Sequence, residues 1–193
     1  MKGKLSRLVM AGLVMGSVVL PLTGFAQGVK LSALRGTFTV RDTGSFAVCL
    51  NPTTFAPEGC TTSGVLIYPL TIVGTSVLNR DSKGNTCETG TDVTAALPPN
   101  AQPSSPGTNI TVGKLTDYDP TTGEGDYALT GYSGGKCNGS SFDSSGATKT
   151  ATDTVHIQAT SADRVDIILT SYTAIPVSFI ESFILSGYEL RQK

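Results

Sequence analysis

From Gly36 onward, apolar and polar residues alternate with a period of two. Phe38, Val40, Phe46, Val48 and Leu50 share one parity, and Thr37, Thr39, Arg41, Thr43, Ser45 and Ala47 hold the other. Successive side chains of a strand point to opposite faces, so this pattern predicts a half-buried strand. Asp42-Thr43-Gly44-Ser45 interrupts it and reads as a hairpin turn or as a bulge in one long bent strand. Residues 51–63, with Pro52, Pro57 and Gly59, read as a loop. Val65 to Leu78 is a second β segment, apolar on both parities in its first half. Pro69 has no amide proton for a ladder and calls for an edge or a bulge.

Asp81-Ser82-Lys83-Gly84-Asn85 is a turn, and the chain returns through Thr86 to Ala96. Leu97 to Thr108 carries Pro98, Pro99, Pro103 and Pro106 and predicts a long exposed loop inside the domain. Ile110 to Tyr118 and Tyr127 to Tyr132 flank Asp119-Pro120-Thr121-Thr122-Gly123-Glu124-Gly125, a hairpin signal. Gly134 to Gly146 is a second Gly/Ser-rich loop. Val155, Ile157 and Ala159 alternate with Thr154, His156 and Gln158. After a turn at Ser161 to Arg164, Val165, Ile167 and Leu169 do the same.

The tail carries two signals. Ser178-Phe179-Ile180-Glu181 matches a helix capping box, and Ile180, Ile184 and Tyr188 recur every four residues. β-branched and aromatic residues dominate, however, and the residue types favour a strand. Phe179, Phe183 and Leu185 then face one side and Ile180, Ile184, Tyr188 and Leu190 the other.

Seven to nine strands in sequential order, with no helical crossover, predict an all-β fold. The expected architecture is an up-and-down antiparallel meander closed into a barrel of about eight strands, which removes the sheet edges. A β-sandwich is the alternative.

Composition agrees with this. The chain has 27 Thr and 19 Ser, while charged residues are only 15%. That excludes a coiled coil, which needs Ala, Glu, Lys, Leu and Arg in bulk. A net charge of −1 leaves no footprint for nucleic acid. Lys2, Lys4 and Arg7, the apolar run Leu8 to Leu22, and Gly24-Phe25-Ala26 before Gln27 have the architecture of a secretory signal peptide. Residues 1–26 are therefore expected to be removed on export to the periplasm or outside the cell. Residues 27–193 are expected to form a single β domain, with its Pro-rich loop at about 97–108. No later stretch is long and apolar enough to span a bilayer as a helix.

The cysteines Cys49, Cys60, Cys87 and Cys137 all follow that leader, and an even count in an exported chain reads as two disulfides. Four cysteines admit three connectivities. Cys49–Cys60, closing a short loop, with Cys87–Cys137, tying two long β segments, is the favoured one.

Gly36-Thr37-Phe38-Thr39-Val40, Leu115-Thr116-Asp117-Tyr118, Gly125-Asp126-Tyr127-Ala128-Leu129-Thr130-Gly131 and Leu185-Ser186-Gly187-Tyr188-Glu189-Leu190-Arg191-Gln192 resemble segments of exported bacterial proteins of a calycin-like or allene-oxide-cyclase-like barrel type. The resemblance spans Gly36 to Gln192 in general texture and implies a small up-and-down barrel. It carries over no catalytic residue.

Candidate chemistry is sparse. Gly131-Tyr132-Ser133-Gly134-Gly135 fits the pattern of a nucleophile elbow, but Lys136-Cys137-Asn138-Gly139 after it is not helix-forming. Asp153 and His156 could complete a triad only formally, and the bland reading is a Gly-rich turn. No catalytic residue is assigned. Asp117, Asp119, Glu124 and Asp126 bracket the hairpin and could hold a hard cation such as Ca²⁺, although turn chemistry accounts for them without metal. No cofactor is expected. The parity pattern sends Phe38, Val40, Phe46, Val48, Leu66, Tyr68, Ile157, Ile167 and Leu169 inward. In a hollow barrel Phe38, Val40, Phe46, Val48, Tyr68, Ile167 and Leu169 would be the ligand contacts. The favoured role is a structural or surface-interaction protein contacting a protein partner through the Pro-rich loop. A lipocalin-like binder of a small apolar ligand and an enzyme with an apolar barrel pocket are the alternatives.

Overall fold

Ten strands follow one another in the computed structural model, which describes residues 28–95, 107–174 and 180–193. They are β1 (Gly36–Leu50), β2 (Leu66–Arg80), β3 (Thr86–Ala95), β4 (Gly107–Asp119), β5 (Glu124–Ser133), β6 (Lys136–Asn138), β7 (Ser141–Asp143), β8 (Thr148–Ser161), β9 (Arg164–Ala174) and β10 (Ile180–Arg191). Eight close a barrel in the order β1-β10-β9-β8-β5-β4-β3-β2, each antiparallel to its neighbours, and β6 and β7 pair apart from it. The meander closes where β1 meets β10 from Phe38↔Arg191 to Val48↔Ile180, so the sandwich alternative does not hold. The predicted signal segment 1–26 lies outside the described residues, as does most of the Pro-rich loop. Gly107 and Thr108, read as its end, begin β4.

β1 runs unbroken through Asp42–Ser45, against the turn or bulge expected there. The register with β2 is continuous from Gly36↔Arg80 to Leu50↔Leu66. What Gly44 provides is a close approach: a Cβ there would sit 2.2 Å from the Ile184 carbonyl oxygen on β10, and one at Gly187 would sit 2.4 Å from that of Arg41. Glycine inside a strand marks this kind of backbone approach, which lets two strands coil tightly around a small barrel. The irregularity of β1 lies further on, at Ala47/Val48 against β10. Pro69 sits on β2 opposite Ala47, beyond the described β2–β3 register of Thr71 to Arg80.

The alternating parities become an inside and an outside. Phe38, Val40 and Val48 on β1, Leu70 and Leu78 on β2, and Val155, Ile157 and Ala159 on β8 are buried, whereas Ile67, Val73 and Val77 of β2 are exposed. The tail is the strand β10, with Ile184 and Leu190 exposed. Leu66, expected inside, is exposed at the start of β2. The Gly134–Gly146 segment, read as a loop, contains the β6–β7 hairpin, which packs on β3 and is fastened by the Cys87–Cys137 disulfide. Cys49–Cys60 anchors the β1–β2 connection.

The two ends of the barrel differ. At one end the strands are joined by short turns at 81–85, 120–123 and 162–163, and the lead-in segment folds over it. Leu31–Leu34 is one turn of 3₁₀ helix, and Val29 and Leu34 are buried with Tyr127, Ile157 and Val165. Arg191 fixes this plug by donating to the carbonyl oxygens of Ala33, Arg35 and Ala162. At the opposite end, β1 connects to β2 through residues 51–65 and β5 leads into the β6–β7 hairpin.

Candidate functional site

The plug and the Phe38, Val40, Leu78 cluster fill only the lower part of the barrel. Above them the interior is a cavity of about 380 Å³, within the range of small-molecule sites. Val40, Leu129, Val155, Ile157, Ile167 and Leu169 give it an apolar wall. Ser76, Thr86, Glu88, Asn109 and Thr111 give the β2–β3–β4 side a polar one. Phe46, Tyr172, Ile180 and Phe183 line it toward the end opposite the plug. The Phe183 ring lies 4.8 Å from that of Tyr172 and 5.7 Å from that of Phe46.

At the floor, Arg80 Nη2 donates to both carboxylate oxygens of Glu189, at 2.9 and 2.6 Å, and Nε donates to Tyr127 Oη at 2.9 Å. The guanidinium also lies over the rings of Phe38 and Tyr127, at 5.1 and 5.5 Å. The side-chain exposures of the pair are 0% and 5%. Burial raises the Glu189 carboxyl above its ordinary range against the pull of Arg80. Burial alone would lower Arg80, but the Glu189 charge keeps it raised and therefore protonated. Burial pushes the Tyr127 phenol up to about 12, so Tyr127 stays neutral at physiological pH and its oxygen accepts from Arg80.

Among the described residues, Arg80 and Asp153 each bring an unsatisfied polar atom to the lining. Arg80 Nη1 and Asp153 Oδ1 are buried without a hydrogen-bond partner. Asp153 lies on β8 opposite Tyr172 of β9 and Leu129 of β5. Burial alone pushes its carboxyl up to about 7, with no neighbouring charge contributing. A native interior leaves few such groups, because each costs its desolvation without a compensating bond.

The interior residues expected from sequence separate by height. Val40, Phe46, Ile167 and Leu169 line the cavity. Phe38 is part of the floor, and Val48 and Tyr68 pack with Leu50 and Leu70 toward the opposite end. Arg80, Asp153 and Glu189 were not expected. Each was marked in the sequence as a charge on the apolar parity of its strand: Arg80 after Leu78, Asp153 before Val155, Glu189 after Leu185 and Gly187.

The carboxylates around the β4–β5 turn face each other as Asp117↔Asp126 and Asp119↔Glu124. Asp119 Oδ1 accepts the Thr121 amide at 2.7 Å, which holds its carboxyl below the usual range. Asp126 lies 3.0 Å from His156 Nδ1. Among the described residues, no group of three or more His, Cys, Asp or Glu side chains is placed to hold a metal ion. Gly131-Tyr132-Ser133, read as a turn, continues β5, and the chain turns at Gly134 and Gly135 with φ of 79° and 83°. Ser133 pairs with Thr148, and His156 pairs with Asp126 toward the other end of the same ladder, so no elbow triad forms.

No protein-family model matches the chain, and neither a curated protein nor a solved structure matches it significantly.

Proposed function

We propose that this barrel is a binding protein for one small amphipathic molecule held inside it. The observation that carries the reading is the cavity above the plug, with a donor at Arg80 and an acceptor at Asp153 both unmet by protein. A barrel of eight strands is just wide enough either to be filled by its own side chains or to hold one small ligand. Here a helical turn and the Phe38 cluster fill the lower part, Val48, Leu50 and Leu70 pack toward the opposite end, and the cavity lies between them. The surface-interaction role expected from the sequence rests on residues 97–108, most of which lie outside the described residues. The cavity supports a role for the interior.

The calycin-like reading accords with an antiparallel up-and-down barrel closed between its first and last strands. Export accords with two disulfides, which persist in oxidising compartments. N-terminal sequencing of exported protein should begin at Gln27, and an intact Met1 would contradict export by a cleaved signal.

The neutral apolar dye N-phenyl-1-naphthylamine tests the binding reading. It should bind the folded protein saturably at one site. Val40→Phe and Leu169→Phe, which extend side chains into the cavity, should weaken it at least tenfold without lowering the melting temperature by more than a few degrees. Dye that binds only after denaturation, or binds the filled variants equally well, would overturn the proposal.

A further inference from the structure

The lining of the cavity is unbalanced in charge. Among the described residues it contains four carboxylates, Asp42, Glu88, Asp153 and Glu189, against one cation, Arg80. Arg80 is already neutralised by Glu189 through two hydrogen bonds. Its remaining Nη1, on a side chain with no exposure, can still donate, but to a neutral oxygen rather than to a second carboxylate. Glu88 accepts the hydroxyl of Ser76. Asp153 has one buried oxygen with no partner. Beside it stands Tyr172, its registered neighbour on β9, whose ring meets Phe183 and through it Phe46. A buried carboxylate next to aromatic faces is the chemistry that recognises an organic ammonium.

Building on the binding role proposed above, we infer that the ligand class is an amphipathic organic ammonium that also carries a neutral oxygen acceptor. The cationic head sits at Asp153 beside Tyr172 and Phe183. The body lies along Val155, Ile167 and Leu169, and the oxygen meets Arg80 Nη1. An anionic ligand is disfavoured, because its charge would face Asp153 with the Arg80 guanidinium already engaged by Glu189. Tyr172 supports this electrostatic view: its phenol is raised first by burial and then by the Asp153 charge. Since Asp153 titrates near pH 7, the head group is held best above that pH.

Calorimetric titration at pH 8 with three probes of the same phenolic body tests the inference. They are tyramine, its neutral alcohol tyrosol, and the anion 3-(4-hydroxyphenyl)propanoate. Tyramine should bind at least tenfold more tightly than either of the others. Asp153→Asn should cut tyramine affinity at least tenfold and leave tyrosol within twofold. If that variant does not fold, the ranking of the three probes on the native protein decides alone. Tyrosol or the propanoate binding as tightly as tyramine would overturn the ammonium class. So would tyramine affinity unchanged in Asp153→Asn. Failure of all three probes while N-phenyl-1-naphthylamine still binds saturably overturns the ammonium class alone. Failure of the dye as well overturns the binding role beneath it.

Discussion

Arg80 and Glu189, 109 residues apart in sequence, meet inside the barrel at 2.6 Å. They come from the ends of β2 and β10, the two strands that flank β1 where the meander closes. Tyr127 extends the contact from β5, so one guanidinium joins three strands below the cavity.

Breaking that pair leaves a buried charge without its partner. Glu189→Ala is therefore expected to destabilise the protein by about 3–5 kcal/mol. Replacing both members, as Arg80→Met with Glu189→Leu, should cost much less, because the desolvation of both charges is removed as well. Urea unfolding of the two variants checks this. A double variant as unstable as the single one would show that the residues are not coupled through their charges.

Asp153 gives the stability a definite pH dependence. Its carboxyl titrates near pH 7 when folded, against about 3.9 for an unperturbed Asp. Between those values the folded chain keeps a proton that the unfolded chain has lost. Its contribution to stability therefore falls as pH rises from about 4 to about 7 and is level above that. Discounted for partial solvent access, the loss should be about 2–4 kcal/mol. Asp153→Asn should remove this part of the decline. A variant that keeps the full native slope would place the titration elsewhere, for example at Glu189, whose burial acts in the same direction.

The two disulfides should contribute unequally. Cys87–Cys137 spans a sequence separation of 50 and Cys49–Cys60 one of 11. Loop-closure entropy then predicts about 4 and about 3 kcal/mol respectively. Paired Cys→Ala variants, compared by denaturant midpoint, should show the larger loss for Cys87/Cys137. The reverse order would mean that the short bridge acts mainly by holding the folded 51–65 segment.

The face assignment under the whole fold can be read from neighbouring residues. Ile157 is 1% exposed, and Ile168, on the outer face of β9, is 49% exposed. Ile157→Ala should cost about 2–5 kcal/mol and Ile168→Ala about 0.5 or less. Equal costs would contradict the assignment of inside and outside.

Most of the barrel was legible because period two is a physical consequence of strand geometry. Phe38, Val40 and Val48 carry it on β1, and Val155, Ile157 and Ala159 on β8. The break at Asp42–Ser45 was misread because a glycine chosen for a close approach across strands looks the same in sequence as a turn glycine. Only the partner, Ile184, distinguishes them. The recurrence of Ile180, Ile184 and Tyr188 every four residues was a local signal overridden by the need to close the barrel along β1, while Ser178 and Phe179 of the capping box lie outside the described residues. Val29 and Leu34 were not foreseen as a plug, since four residues of 3₁₀ helix have too little periodicity to stand out. The cavity groups were hidden for a different reason. Arg80, Asp153 and Glu189 break the apolar parity, and a single charge on a strand looks like noise until the strands around it are placed.

The most direct test of a ligand inside the barrel is a methyl NMR titration with N-phenyl-1-naphthylamine on protein labelled at Ile, Leu and Val. The methyls of Val155, Ile157, Ile167 and Leu169, which line the cavity, should shift along one saturable curve. Those of Ile168 and Ile184, exposed on the outside of β9 and β10, should stay in place. Ile167 and Ile168 are adjacent in the chain, so the contrast between them separates the two faces of one strand. Shifts at Ile168 and Ile184 with Ile167 and Leu169 unmoved would place the ligand on the outer surface and contradict a binding barrel.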